Sequence, residues 1–185
     1  MAAVTTRPLR ALPFEAVAAM VAVVAASNWL VQFPINDWLT WGAFSYPLAF
    51  LVTDLTNRWY GPKRARHVAY VGFALGVVLS MLLSDVRIAL ASGAAFLTSQ
   101  LLDITIFDRL RRASWWKAPL VGSILASVWD TAVFFGGAFA FTGLPWLSWA
   151  IGDLTVKLAM ALALLIPFRA IMNLRALALP SPSAS

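Results

Sequence analysis

Six apolar runs, separated by short segments that hold most of the charge, dominate this chain. They cover about residues 14–33, 43–58, 67–84, 88–108, 119–141 and 148–171 of 185. Roughly twenty apolar residues at 1.5 Å each span the ~30 Å hydrocarbon layer of a bilayer. A soluble domain of this size also needs a polar skin. Only 12% of the residues are charged and 61% are hydrophobic, against about 25% charged in ordinary domains. The reading is an all-α membrane protein: one compact bundle of six transmembrane helices over 14–172. A basic tail at 1–13 precedes it, and a proline- and serine-rich tail at 173–185, expected to be disordered, follows.

The net charge of +6 reads as topology-setting charge in membrane loops rather than as a nucleic-acid surface. Zero cysteines exclude disulfides and thiolate metal sites, and one histidine argues against a multi-histidine metal site. Neither a P-loop, a zinc signature nor a nucleotide-binding glycine pattern is found, so no cofactor and no metal is expected. Nine tryptophans suit the interfacial belts of a membrane protein.

Within the runs, several patterns stand out. Ala25-Ala26-Ser27 resembles a signal-peptide cleavage site, but the run continues through Trp29 and Leu30, so it is read as a span. Ala18, Ala22 and Ala26 make one smooth face, a spacing that permits close helix approach. In the second run, Pro47 removes a backbone donor and predicts a kink. Tyr46, Phe50, Asp54 and Asn57 share one stripe of that run. Gly72 and Gly76 form a bare GxxxG spacing in the third run. Ser99, Gln100, Asp103 and Phe107 share a face of the fourth, and Ser123, Ser127, Asp130 and Phe134 a face of the fifth. In the sixth, Asp153 and Lys157 stand four apart in the favourable order for an ion pair, and Pro167 predicts a bend near the end.

Twelve of the fourteen lysines and arginines fall in the N-terminal tail, the 2–3 loop, the 4–5 loop and the C-terminal end. The positive-inside rule then puts both termini in the cytoplasm, as an even number of spans requires. The exceptions are Arg87, in the opposite turn, and Lys157, inside the sixth run.

A carboxylate at membrane depth costs about 2.5–3.5 kcal/mol on insertion scales. Asp54, Asp103 and Asp130 lie in three different runs, so they are expected to converge on one internal cavity, with Lys157 or Arg87 able to hold one of them ionised. Asn28, Asn57 and Gln100 add hydrogen-bonding groups. Tyr46, Phe50, Trp41, Phe107 and Trp129 offer faces for a planar ring or a cation. Such a cavity suits a small, polar, flat solute.

The residues that carry this pattern also resemble a known family. Ser27-Asn28-Trp29-Leu30-Val31-Gln32-Phe33-Pro34 is one match. Thr40-Trp41-Gly42-Ala43-Phe44-Ser45-Tyr46-Pro47 with Thr53-Asp54-Leu55-Thr56 is the most specific. Gln100-Leu101-Leu102-Asp103 with Phe107 and Arg109-Leu110-Arg111 follows. So do Trp115-Trp116 with Ala118-Pro119, Asp130-Thr131 with Phe134-Phe135, and Asp153, Lys157 and Pro167. Together they resemble the queuosine-precursor transporters, vitamin-uptake-transporter-like integral membrane proteins. The chain departs from that pattern at Arg58, where many relatives carry glutamate, and at Thr131, where they carry serine.

The resemblance implies import of a 7-deazaguanine base, preQ0 or preQ1, across the bacterial inner membrane for tRNA modification. It implies no enzyme activity. The expected solute contacts are Asn28, Tyr46, Phe50, Asp54, Asn57, Gln100, Asp103 and Asp130, with Asp153 and Lys157 as an ion pair or coupling element. One rival is a substrate-binding subunit that needs a separate energising module, docked on the alanine face. Another is an intramembrane aspartate enzyme, for which the spacing assembles no carboxylate dyad. The sequence leaves open a homo-oligomer, and it leaves open whether a proton, another ion or no gradient drives transport.

Overall fold

A computed structural model describes residues 13–30, 32–36, 39–83 and 85–178. The basic tail at 1–12, Asp37 and the stretch from 179 onward lie outside the described residues. The chain is almost wholly helical. In order it forms α1 (Phe14–Leu30), strands β1 (Pro34–Asn36) and β2 (Leu39–Thr40), then α2 (Gly42–Ser45) and α3 (Leu48–Tyr60). Next come α4 (Pro62–Leu83), α5 (Val86–Leu110), α6 (Lys117–Phe139), α7 (Trp146–Ala163) and α8 (Leu165–Ala178).

Four helical stretches are long and apolar enough to cross a membrane: Pro62–Leu83, Val86–Leu110, Lys117–Phe139 and Trp146–Leu174. α1 is a shorter apolar helix. Large apolar side chains such as Phe14, Leu82, Leu147, Ile151 and Ile166 are exposed on the outside of the bundle. This is the surface of a multi-pass membrane protein, in which lipid rather than water covers the helices.

Pro47 and Pro167 interrupt their helices, whereas Pro119, in the first turn of α6, does not. Pro47 has no N–H for the carbonyl four residues back, and the helix divides into α2 and α3 at Tyr46-Pro47. The backbone stays in the α region through both residues, so the interruption lies in the hydrogen-bond ladder, as the expected kink requires. Pro167 acts the same way on the carbonyl of Ala163, and the sixth run divides at Leu164 into α7 and α8. α8 runs on to Ala178, into the stretch expected to be disordered. The link after α1 also holds structure. β1 and β2 pair antiparallel, and Asn36 Oδ1 accepts from Leu39 N at 2.9 Å.

α1 packs on α4 through a matched register. A Cβ on Gly72 would lie 2.8 Å from Met20 Cγ, and one on Gly76 3.5 Å from Val24. One turn on, Ser80 Oγ donates to Asn28 Oδ1 at 3.2 Å. The GxxxG spacing thus receives the larger residues of α1, which continue into a core of Met20, Val24, Ala49 and Val68. Ala18, Ala22 and Ala26 lie on the other side of α1 and are exposed. α5 and α6 form the most closely joined pair in the bundle. At the end nearest the basic loops, Phe107, Ala118 and Phe168 close the core.

Candidate functional site

A cavity of about 520 Å³ lies in the half of the bundle away from the two basic loops. It falls within the 300–1,000 Å³ typical of small-molecule sites. Its mouth is formed by Gln32, Asn36, Leu39 and Thr40 of the hairpin region, with Leu83 and Ile88 on either side of the α4–α5 turn. Phe134, Phe135, Phe139 and Trp149 wall one side, and Phe96 of α5 also lines it. The wall is a connected set of rings: Phe139 meets Trp149 edge-on at 5.6 Å and Phe134 at 6.0 Å. Asn28, Tyr46, Ser80 and Ser92 supply neutral polar groups. Ala43 lines the cavity too, and Pro47 offers its carbonyl no helical N–H.

The charged part of the cavity is one network. Lys157, buried to 6% exposure, places Nζ 2.7 Å from Asp130 Oδ2 and 2.5 Å from Asp153 Oδ2. Thr131 Oγ1 donates to Asp153 Oδ2 at 2.9 Å, and Ser99 Oγ donates to Asp130 Oδ1 at 3.0 Å. Helical geometry explains the assembly. Asp153 and Lys157 share a face of α7, and Asp130 and Thr131 reach them from α6. One cation between two carboxylates leaves the cluster with a formal charge of −1. The Ser99 hydroxyl serves the Asp130 oxygen that the ammonium does not reach, and Thr131 shares Asp153 Oδ2 with it. Such a site presents acceptors and one donor to a solute bounded by aromatic faces.

The expected convergence of three aspartates on a single cavity is not what the structure contains. Asp54 and Asp103 lie outside the cavity, buried to 2% and 0% exposure. They lie opposite each other at the α3–α5 interface, which bonds from Thr53 to Gln100 and from Asn57 to Ile104 O tie together. Gly122 of α6 makes room for them: a Cβ there would sit 2.5 Å from Asp103 Oδ1. Between this pair and the cavity, Thr53 Oγ1 donates to Gln100 Oε1 at 2.8 Å. Asn57 Nδ2 donates to Ile104 O at 2.9 Å.

Of the expected solute contacts, Asn28, Tyr46 and Asp130 line the cavity together with Asp153 and Lys157. Phe50, Asp54, Asn57, Gln100 and Asp103 are buried elsewhere and do not line it. Among the aromatics, Trp41 and Trp129 are exposed on the surface and Phe107 is sealed in the core. Arg87 holds neither aspartate. It caps the end of α6, donating from Nε to Gly137 O at 2.9 Å and from Nη2 to Ala140 O at 2.7 Å. A facing carboxylate pair does exist in Asp54 and Asp103, although spacing alone assembled none. It is buried and does not line the cavity.

Comparison with known proteins agrees with this architecture. The family described as "Putative vitamin uptake transporter" matches residues 40–86 and 80–172. The queuosine precursor transporter of Escherichia coli (strain K12) is 32% identical over 179 residues, covering 81% of this chain and 81% of that protein. A Haemophilus influenzae protein named "Probable queuosine precursor transporter" is 34% identical over 186 residues, covering 78% and 79%. A Bacillus subtilis protein of the same name is 27% identical over 155 residues, covering 66% and 67%. No solved structure matches the chain. The family match runs through α2 to α7, and so takes in Asp130, Asp153 and Lys157. This chain, with its aromatic-walled cavity inside an apolar bundle, belongs to the vitamin-uptake-transporter family, among the queuosine precursor transporters.

Proposed function

We propose that the chain is a six-span carrier of the bacterial inner membrane that imports the 7-deazaguanine precursors of queuosine, preQ0 or preQ1. In this reading α1 and the broken α2–α3 pair complete the crossings made by the four long stretches. The basic α3–α4 junction, with Lys63, Arg64 and Arg66 in the first turn of α4, and the basic α5–α6 turn then face the cytoplasm, and the cavity opens outward to receive solute.

The observation that carries the reading is the Asp130–Lys157–Asp153 network on a cavity walled by Phe135, Phe139 and Trp149. A guanine-like edge presents adjacent N–H donors beside a carbonyl. Asp130 or Asp153 accepts from the donors, and the Lys157 ammonium donates to the carbonyl. The aromatic wall stacks on the flat ring. Asn28 and Tyr46 complete the polar contacts, and the ammonium of preQ1 is neutralised by the second carboxylate.

Complementation tests it. A strain unable to make the precursors, supplied with preQ0 or preQ1 outside, regains queuosine in its tRNA when it carries this chain. It does not regain it with Asp130→Asn. Normal queuosine levels with Asp130→Asn and with Asp153→Asn would overturn the cavity as the solute site. Uptake by the purified chain in vesicles separates a stand-alone carrier from a subunit that docks an energising module on the exposed face of α1.

A further inference from the structure

Beneath the cavity lies a second polar site that the solute reading does not use. Asp54 and Asp103 come from different helices, are fully enclosed, and meet face to face. One oxygen of Asp54 and both oxygens of Asp103 have no donor among the described residues. Asn57 is itself fully buried at the same α3–α5 interface. Its amide nitrogen is spent on Ile104 O, the carbonyl next to Asp103, and its Oδ1 has no donor either. Four acceptor oxygens thus lie at one buried interface.

Among the described residues, no ion pair is formed to either carboxylate. The ion pairs of the described residues are Arg111 with Asp108 and Lys157 with Asp130 and Asp153. On α3, Arg58 is turned to the carbonyl of Arg111. On α4, His67 is exposed and bonded to the Lys63 carbonyl. On α6, Lys117 lies over Trp116, and on α8, Arg169 lies over Trp115. Two ionised carboxylates offer each other acceptors only, whereas a protonated carboxyl is a donor to its neighbour. One proton satisfies the contact.

We propose that Asp54 and Asp103 together hold one exchangeable proton, and that this proton is the coupling ion that drives the solute through the cavity above. The coupling half of this inference rests on the solute reading given above. α5 connects the two sites: Ser99 binds Asp130 of the cavity, Gln100 binds Thr53, and Asp103 faces Asp54. A shift of α5 against α3 that rearranges the cavity therefore also rearranges the carboxyl pair. Asp54 and Asp103 line no part of the cavity, so the proton and the solute do not compete for the same atoms.

Two measurements test the proposal, and the first uses no solute. Infrared spectra of the purified chain at neutral pH are expected to contain a protonated-carboxyl C=O stretch that shifts in D2O. That band is lost in Asp54→Asn and in Asp103→Asn. Its absence from the unaltered chain, or its survival in both variants, overturns the shared proton, and neither result bears on whether the cavity binds a 7-deazaguanine base. The second uses labelled preQ1 and preQ0 with vesicles under an inward proton gradient. The unaltered chain accumulates base to an inside-to-outside ratio above one. Asp103→Asn binds base with unchanged Kd, and its ratio falls to one. Gradient-driven accumulation by Asp103→Asn, or accumulation that follows sodium and ignores the proton gradient, overturns the coupling.

Discussion

Arg58 and Arg111 each hold the end of the other's helix. Arg58 Nη1 donates to Arg111 O at 2.7 Å, while Arg111 Nη2 donates to Asn57 O at 2.5 Å and to Arg58 O at 3.4 Å. These carbonyls lie at the C-terminal ends of α3 and α5, where cations are favoured; Asn57 O accepts from Gly61 N as well. The clasp ties the two helices together just past the Asp54–Asp103 pair, on the side of the basic loops.

Removing the clasp should destabilise the bundle. Hydrogen bonds from a charged donor contribute about 1.5–3 kcal/mol. Arg111→Ala is expected to lower the melting temperature in detergent, and Arg111→Lys to recover little, because a point charge cannot replace the guanidinium fork. Asp108→Ala, which removes only the half-exposed 3.3 Å pair with Arg111, should change stability by less than about 1 kcal/mol. Equal melting temperatures for Arg111→Ala and Asp108→Ala would count against the clasp.

Lys157 is the only cation on Asp130 and Asp153 among the described residues. Lys157→Met should cost about 3–5 kcal/mol, since it strands buried charge. The loss should be largely recovered when Asp130→Asn and Asp153→Asn are added, because no charge is then left unpaired. Melting of the single and triple variants reads this directly. A triple variant no more stable than Lys157→Met refutes the charge argument.

Gly122 is required for a close approach rather than for a turn. Gly122→Ala puts a methyl 2.5 Å from Asp103 Oδ1 and 3.5 Å from the backbone oxygen of Asp103, and is expected to cost about 1–3 kcal/mol. Gly136→Ala on the same helix meets nothing within 4 Å and should be neutral or stabilising by up to about 1 kcal/mol. Thermal melts of the two alanine variants provide the comparison, and a Gly122→Ala protein as stable as Gly136→Ala would rule out tight packing there.

The chain has no cysteines, so single-cysteine labelling needs no altered background. In intact cells, Leu144→Cys in the α6–α7 turn is expected to react with a membrane-impermeant maleimide. Arg66→Cys, near the start of α4, should react only after the membrane is opened. The reverse pattern would invert the proposed orientation.

Much of this fold is legible in the sequence because a helix has one period. The stripes of α5 and α6 need only that period, and Ser99, Gln100, Asp103, Ser123 and Ser127 all lie buried, as the stripes require. Which stripe meets which depends on how far one helix is shifted along another, and the period carries no such information. For that reason Asp130 separates from Asp54 and Asp103. Phe50, Asp54 and Asn57 follow the expected stripe but meet α5 below the cavity, while Tyr46, beyond the Pro47 break, lines it.

Other cavity residues had weak signals. Ser80 continues the four-residue spacing of Gly72 and Gly76, and Gln32 stands four residues beyond Asn28. Asn36 and Thr40 sit in a link too short to read as strands, and their place at the mouth follows from the β1–β2 pairing. Ser92 and Trp149 gave no pattern of their own.

The register between α1 and α4 has a topological consequence. Met20, Val24 and Asn28 meet Gly72, Gly76 and Ser80 in ascending order on both helices, so the two point the same way. A chain that travels in one direction twice must come back in between. The only segment free to do so is the one holding α2 and α3, two helices each too short to qualify as a span alone. Parity therefore makes the interruption at Tyr46-Pro47 part of the return path, and Ala43 and Tyr46 bring that interrupted backbone to the aromatic-walled cavity.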